Sequence, residues 1–148
     1  MGPALERLHN ADSQGEHGFV VIGKEEKDTV FALLRSEKPL HNPKFGNYSM
    51  DYRRLDVSIL QVLILDELLN IDQLAVAKGN HLGYFREVKE MQQAMTEYQV
   101  GFLLNPTAIP RMKQVCLNQE RMPQKSTDFF PKLLTGMVMY PMDHSFYH

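Results

Sequence analysis

Apolar positions along the chain fall into runs of two lengths. Two short runs, Gly18 to Lys24 and Thr29 to Arg35, are rich in β-branched and aromatic residues and predict strands. The charged stretch Glu25-Glu26-Lys27-Asp28 separates them, which predicts a hairpin whose joint lacks an Asn-Gly turn. The longest run, Asp51 to Asn70, predicts the main helix. Its Leu55, Ile59, Val62, Leu63, Leu65, Leu68 and Leu69 exceed one stripe, and Val57, Leu60 and Ile64 fall outside it. A helix apolar on nearly every side is covered from more than one direction.

The second half alternates shorter pieces. A strand is predicted at His81 to Phe85, then a helix from Glu87 to Glu97 with Val88, Met91, Ala94 and Met95 inward. Val100 to Leu104 has strand length and ends at Asn105-Pro106-Thr107. A third helix begins near Ala108, with Pro110 tolerated in its first turn and Ile109, Met112, Val115 and Cys116 as its apolar stripe. After the prolines at 123 and 131, a last strand is predicted from Leu133 to Tyr140, with Gly136 as a bulge.

Two stretches lack periodicity. Residues 1–16 place Leu5 and Leu8 on one helical face and then turn polar, which predicts a weakly anchored N-terminal tail. Ser36 to Met50 holds Pro39, Pro43 and Gly46 and reads as a long or mobile connection. The expected fold is α/β in the mixed sense, a mixed β-sheet with an N-terminal hairpin and about three helices packed on it. A length of 148 residues suits one domain, here 17–148.

Charge and cysteine content remove several function classes. A net charge of −2 with no basic block offers no electrostatic footprint for nucleic acid. The single Cys116 excludes an intrachain disulfide and a multi-cysteine zinc site, and its place in a helical stripe predicts a buried, inert thiol. No apolar signal segment follows Met1, and the run around Leu55 to Leu69 carries Asp56, Asp66 and Glu67 and is too short to span a bilayer. The reading is a cytoplasmic protein with no membrane partner.

The candidate chemistry lies in the loop Met122 to Thr127. Lys125, Ser126 and Thr127 stand side by side and offer an anion one ammonium, two hydroxyls and successive backbone amides, with Lys132 following. The competing reading is a solvated surface loop, because most Lys-Ser-Thr clusters bind nothing. Arg53 and Arg54 at the start of the main helix oppose its dipole and call for a carboxylate or phosphate partner, with Asp51 and Asp56 the local options. Phosphate-binding glycine loops, nucleophile elbows and paired metal-binding histidines are missing, so no catalytic or metal residue is assigned. Of the six scattered histidines, His81 at a strand start is the one singled out for inspection, as a structural residue.

Three segments together carry a resemblance: Arg54-Leu55-Asp56-Val57-Ser58-Ile59-Leu60, then Phe102-Leu103-Leu104-Asn105-Pro106-Thr107, then Met122-Pro123-Gln124-Lys125-Ser126-Thr127 with Phe130-Pro131-Lys132-Leu133 and Thr135-Gly136. In this order they resemble the C-terminal part of the domain of unknown function 1015 family of bacteria and archaea, over roughly residues 31–140. Family members are longer and carry an upstream Asp-Gly-His-His-Arg motif like that of ParB-related proteins and free-serine kinases. No adjacent histidines occur here, and residue 61 is Gln where relatives would carry His. The resemblance implies that this chain is the C-terminal portion of a larger phosphotransferase using ATP and magnesium. In that reading Lys125, Ser126, Thr127 and Lys132, with Arg53 or Arg54, form an anion or nucleotide half-site. The remaining partners are a small polar substrate and an upstream domain of the same protein, and the fragment is inactive alone. The alternative is a scaffolding or homodimerisation domain with no ligand.

Overall fold

The computed structural model describes residues 2–25, 28–78 and 82–127. Its sheet is built on β1 (Gly18–Gly23), which pairs antiparallel with β2 (Thr29–Leu33) on one side and with β3 (Val100–Leu103) on the other, in the order β2-β1-β3. The predicted hairpin is present, with Val20 opposite Phe31 and Val21 opposite Val30. Alternation of side chains across β1 serves two layers. Val20 and Ile22 join Leu8 and Met91 in one cluster, while Phe19 joins Leu40, Phe45 and Ile59 in another. The fold class is therefore α/β in the mixed sense. The pairing is antiparallel throughout the described strands, and the described residues form six α-helices rather than about three.

Residues 2–16 are not a loose tail. Helix α1 (Gly2–Ser13) packs on β1 and β2 with Leu8 and Ala11 buried, and Asn105 Nδ2 donates to the Leu8 carbonyl at 2.8 Å. The Val20–Ile22 face needs an apolar cover, and α1 supplies it even though only a few of its residues are apolar.

The proline-containing connection is ordered for a similar reason. Pro39 and Pro43 open two single 3₁₀ turns, Lys38–His41 and Pro43–Phe45, which drive Leu40 and Phe45 into the core at 0% and 1% exposure. Arg53 closes this connection by donating to the carbonyls of Leu40, Gly46 and Tyr48.

The main helix is interrupted. Helix α2 (Met50–Arg53) ends, Leu55 is extended, and α3 (Asp56–Ile59) restarts the helix and widens into i→i+5 bonding from Leu60 to Leu68. The break lets Leu55 point into a small cluster with Tyr52 and Val115 instead of following the stripe. Helix α4 (Gln73–Ala77) is capped by Asp72, whose Oδ1 accepts from the Ala75 amide at 2.7 Å. Helices α5 (Val88–Ala94) and α6 (Ile109–Leu117) flank β3 in sequence.

Residues 82–85 are irregular rather than strand, and the predicted strand from Leu133 to Tyr140 lies outside the described residues. On α6 only Val115 is buried. Cys116 is exposed, so the inert buried thiol predicted from its stripe is corrected. Among the described residues no helix is long and apolar enough to cross a membrane.

Candidate ligand site

The chain after α6 is fixed before it reaches the Lys-Ser-Thr loop. Gln119, at φ 60°, takes the left-handed position past the helix end, and the Glu120 amide reaches back to the Val115 carbonyl at 3.2 Å. Glu120 then accepts from the Ser49 amide at 2.6 Å and from Ser49 Oγ at 2.5 Å, tying this segment to the start of α2. Ser49 Oγ also accepts from the Tyr52 amide, so one serine caps α2 and anchors the incoming chain. Pro123 is buried, and Met122 packs on the Tyr52–Leu55–Val115 cluster.

The loop that follows is a tight turn. Pro123 accepts from the Ser126 amide at 3.3 Å and from Ser126 Oγ at 2.6 Å, and Lys125 sits between them at φ 59°. A lysine in the left-handed region carries backbone strain of about 1–3 kcal/mol, which the anchored flanks hold in place. Lys125 is exposed and makes no ion pair among the described residues. Together with Ser126 it stands at the edge of a cavity of about 710 Å³.

This cavity lies between the long helix, α5, β3 and the segment 82–85. Leu60 and Leu65 line it from the helix, Met91 and Met95 from α5, and Phe102 from β3. Gln61, Asn105 and Thr107 add neutral polar groups, and Glu97 a carboxylate. Such a wall desolvates an apolar body while a few polar groups fix its orientation.

The other predicted site residues lie elsewhere. Thr127 is exposed and does not line the cavity. Arg53 is engaged by three backbone carbonyls. Arg54 forms a two-pronged ion pair with Glu37, at 2.8 and 3.0 Å, rather than with Asp51 or Asp56. That hydrogen bond holds the Glu37 carboxyl below the usual range and pushes the Arg54 guanidinium up. Lys132 lies outside the described residues. The structure thus brings Lys125 and Ser126 to one cavity and leaves Arg54 at another.

The second recess, about 310 Å³, is lined by Arg54, Glu37, Asp51, Arg111 and His17 among others. His17 was not singled out by the sequence, yet its Nδ1 lies 2.6 Å from Asp56 Oδ1, with both residues about nine-tenths buried. Asp56 occupies the first turn of α3, where the helix dipole favours a carboxylate. An ionised carboxylate only accepts, so Nδ1 carries the hydrogen. The two residues are 39 positions apart, and no local spacing signals the pair.

His81 lies outside the described residues. Among those described, no group of three or more His, Cys, Asp or Glu side chains could hold a metal ion. Comparison with protein-family models, with curated proteins and with solved structures found no match.

Proposed function

We propose that this chain is a ligand-binding domain that takes a small molecule with an anionic group in the 710 Å³ cavity, with Lys125 supplying the charge and Ser126 a hydroxyl at its edge. One observation carries the reading. The loop singled out for its ammonium and hydroxyls is anchored by Glu120 and turned by Pro123 so that Lys125 and Ser126 border that cavity. An ammonium at the edge of an apolar wall forms a charge-assisted hydrogen bond while the ligand body leaves water.

A more specific version makes the cavity half of a nucleotide site in a small-molecule kinase, completed by an upstream domain with ATP and magnesium. It rests on the sequence resemblance. The separation of Arg53 and Arg54 from Lys125 leaves the phosphate charge to one lysine among the described residues, and in this version the upstream domain supplies what phosphate transfer needs. The rival reading as a scaffolding or homodimerisation domain draws on apolar side chains left in solvent, with Leu74 at 72% exposure and Ile109 at 70%.

A thermal-shift titration of the whole chain with ATP, ADP, pyrophosphate, L-serine and small carboxylates tests the proposal, run in parallel on Lys125→Ala. A ligand at about one hundred times its Kd stabilises the fold by about 2.7 kcal/mol. The expected result is a rise in Tm with an anionic ligand that shrinks in Lys125→Ala, reflecting a loss of about tenfold in affinity. A cooperative melt unmoved by every ligand, or a rise of the same size in the variant, overturns it. A rise confined to the nucleotides and pyrophosphate favours the half-site version.

A further inference from the structure

We infer that the ligand of this cavity is a planar aromatic compound bearing a single anionic group, a class narrower than the proposed function on which it rests and distinct from its nucleotide version. The inference comes from the chemistry of the wall. Phe85 and Tyr98 both line the cavity and meet edge to face, with centroids 6.1 Å apart and planes at 84°. This is the arrangement in which ring edges and faces attract, and the two rings form a corner able to receive a third ring. Phe102 adds a further ring from β3.

Two glycines keep this wall in place. A Cβ on Gly83 would stand 2.5 Å from Tyr98 Oη and 2.9 Å from its Cζ, so only a bare backbone lets the Tyr98 ring lie where it does. A Cβ on Gly101 would stand 3.2 Å from both Met91 Sδ and Met95 Sδ, so both sulfurs crowd over the backbone of β3. Two polarisable thioethers beside an aromatic corner suit a ring, because sulfur contacts ring edges favourably, and flexible methionines adapt to its outline. An alkyl chain would gain the desolvation but not the ring-to-ring or sulfur-to-ring contacts.

The limit to one anionic group follows from charge. Lys125 is the cation among the described cavity-lining residues, and Glu97 lines the same cavity. A single ligand carboxylate pairs with the lysine, whereas a polyphosphate would leave charge without a counterpart in an apolar surround.

The test uses the full chain labelled with ¹³C on its methionine methyl groups and titrated with naphthoate, with octanoate as the aliphatic anion and naphthalenemethanol as the neutral ring. Resonances are assigned through Met91→Leu and Met95→Leu. Naphthoate is expected to move the Met91 and Met95 methyl signals by ring current in a saturable way. Octanoate and naphthalenemethanol are each expected to bind at least about tenfold more weakly, and Lys125→Ala, an exposed position, to weaken naphthoate by about tenfold. Octanoate binding as tightly as naphthoate and depending on Lys125 overturns the aromatic class and leaves the ligand-binding reading standing. Naphthoate shifts at other methionines with these two unmoved overturn the placement. No binding by either carboxylate overturns the aromatic class and its placement, while the ligand-binding reading falls only if the nucleotides and pyrophosphate also leave the melt unmoved.

Discussion

Removing Asp56 isolates a buried polar contact between side chains 39 positions apart. In Asp56→Ala the Nδ1–H of His17 loses its acceptor, and in His17→Phe the Asp56 carboxylate loses its donor while the ring volume is nearly kept. Both side chains are about nine-tenths buried, so water replaces the missing partner poorly. A hydrogen bond to a charged group contributes about 1.5–3 kcal/mol, and an orphaned buried group adds its own desolvation cost, so each single change should destabilise by about 2–4 kcal/mol. Asp56→Ala also loses a carboxylate at the start of α3, about 0.3–1 kcal/mol.

The double change His17→Phe/Asp56→Ala removes both polar partners together. It should cost less than the two singles added, by a coupling of about 1.5–3 kcal/mol. A domain of this size holds roughly 5–15 kcal/mol, so the single variants remain folded and measurable. Urea unfolding at pH 7, followed by far-ultraviolet circular dichroism with m-values compared, gives all four corners of the cycle. Costs that add to within about 0.5 kcal/mol would show that the pair does not couple the start of β1 to α3, and would refute the geometry.

Two further predictions concern α2 and α6. Burial, aided by the phenol of Tyr48 stacked at 3.9 Å, pushes the Tyr52 hydroxyl up from 10 to about 12. The folded state therefore keeps this proton longer than the unfolded chain, so stability present below pH 10 should fall by about 1–2 kcal/mol as pH rises through about 12. Comparing the alkaline unfolding profiles of the protein and Tyr52→Phe checks this, and an identical decline in both would refute it. Gln119 pays for a left-handed φ of 60° that glycine adopts freely, so Gln119→Gly should stabilise the fold by about 0.5–1 kcal/mol in denaturant titration. A loss of stability would mean that the Gln119 side chain contributes more than its backbone strain costs.

Local periodicity identified what depends on neighbours in sequence. The β-branched and aromatic runs from Gly18 to Leu33, split by the charged stretch at 25–28, determined a hairpin whose first strand is buried on both faces. The run from Val100 determined β3, and the apolar excess from Val57 to Leu65 determined a helix that packs against Phe19 and Phe45, though Leu68 and Leu69 at its end are exposed. The Lys-Ser-Thr cluster was legible as a loop because Pro123 and its polar neighbours leave no other local choice.

Tertiary structure decided the rest. A nearly polar α1 became part of the core because the Val20–Ile22 face needed covering, and the proline-rich connection ordered because Leu40 and Phe45 had a place to be buried. Arg54 found Glu37, 17 residues away, rather than the aspartates beside it, because the break before α3 turned it outward. Cys116 fell on the exposed side of α6 although its stripe looked apolar, since of that stripe only Val115 is buried. The cavity beside Lys125 and the His17–Asp56 pair are made by residues far apart in the chain. Their spacing is set by packing between elements, which no periodicity within one element encodes.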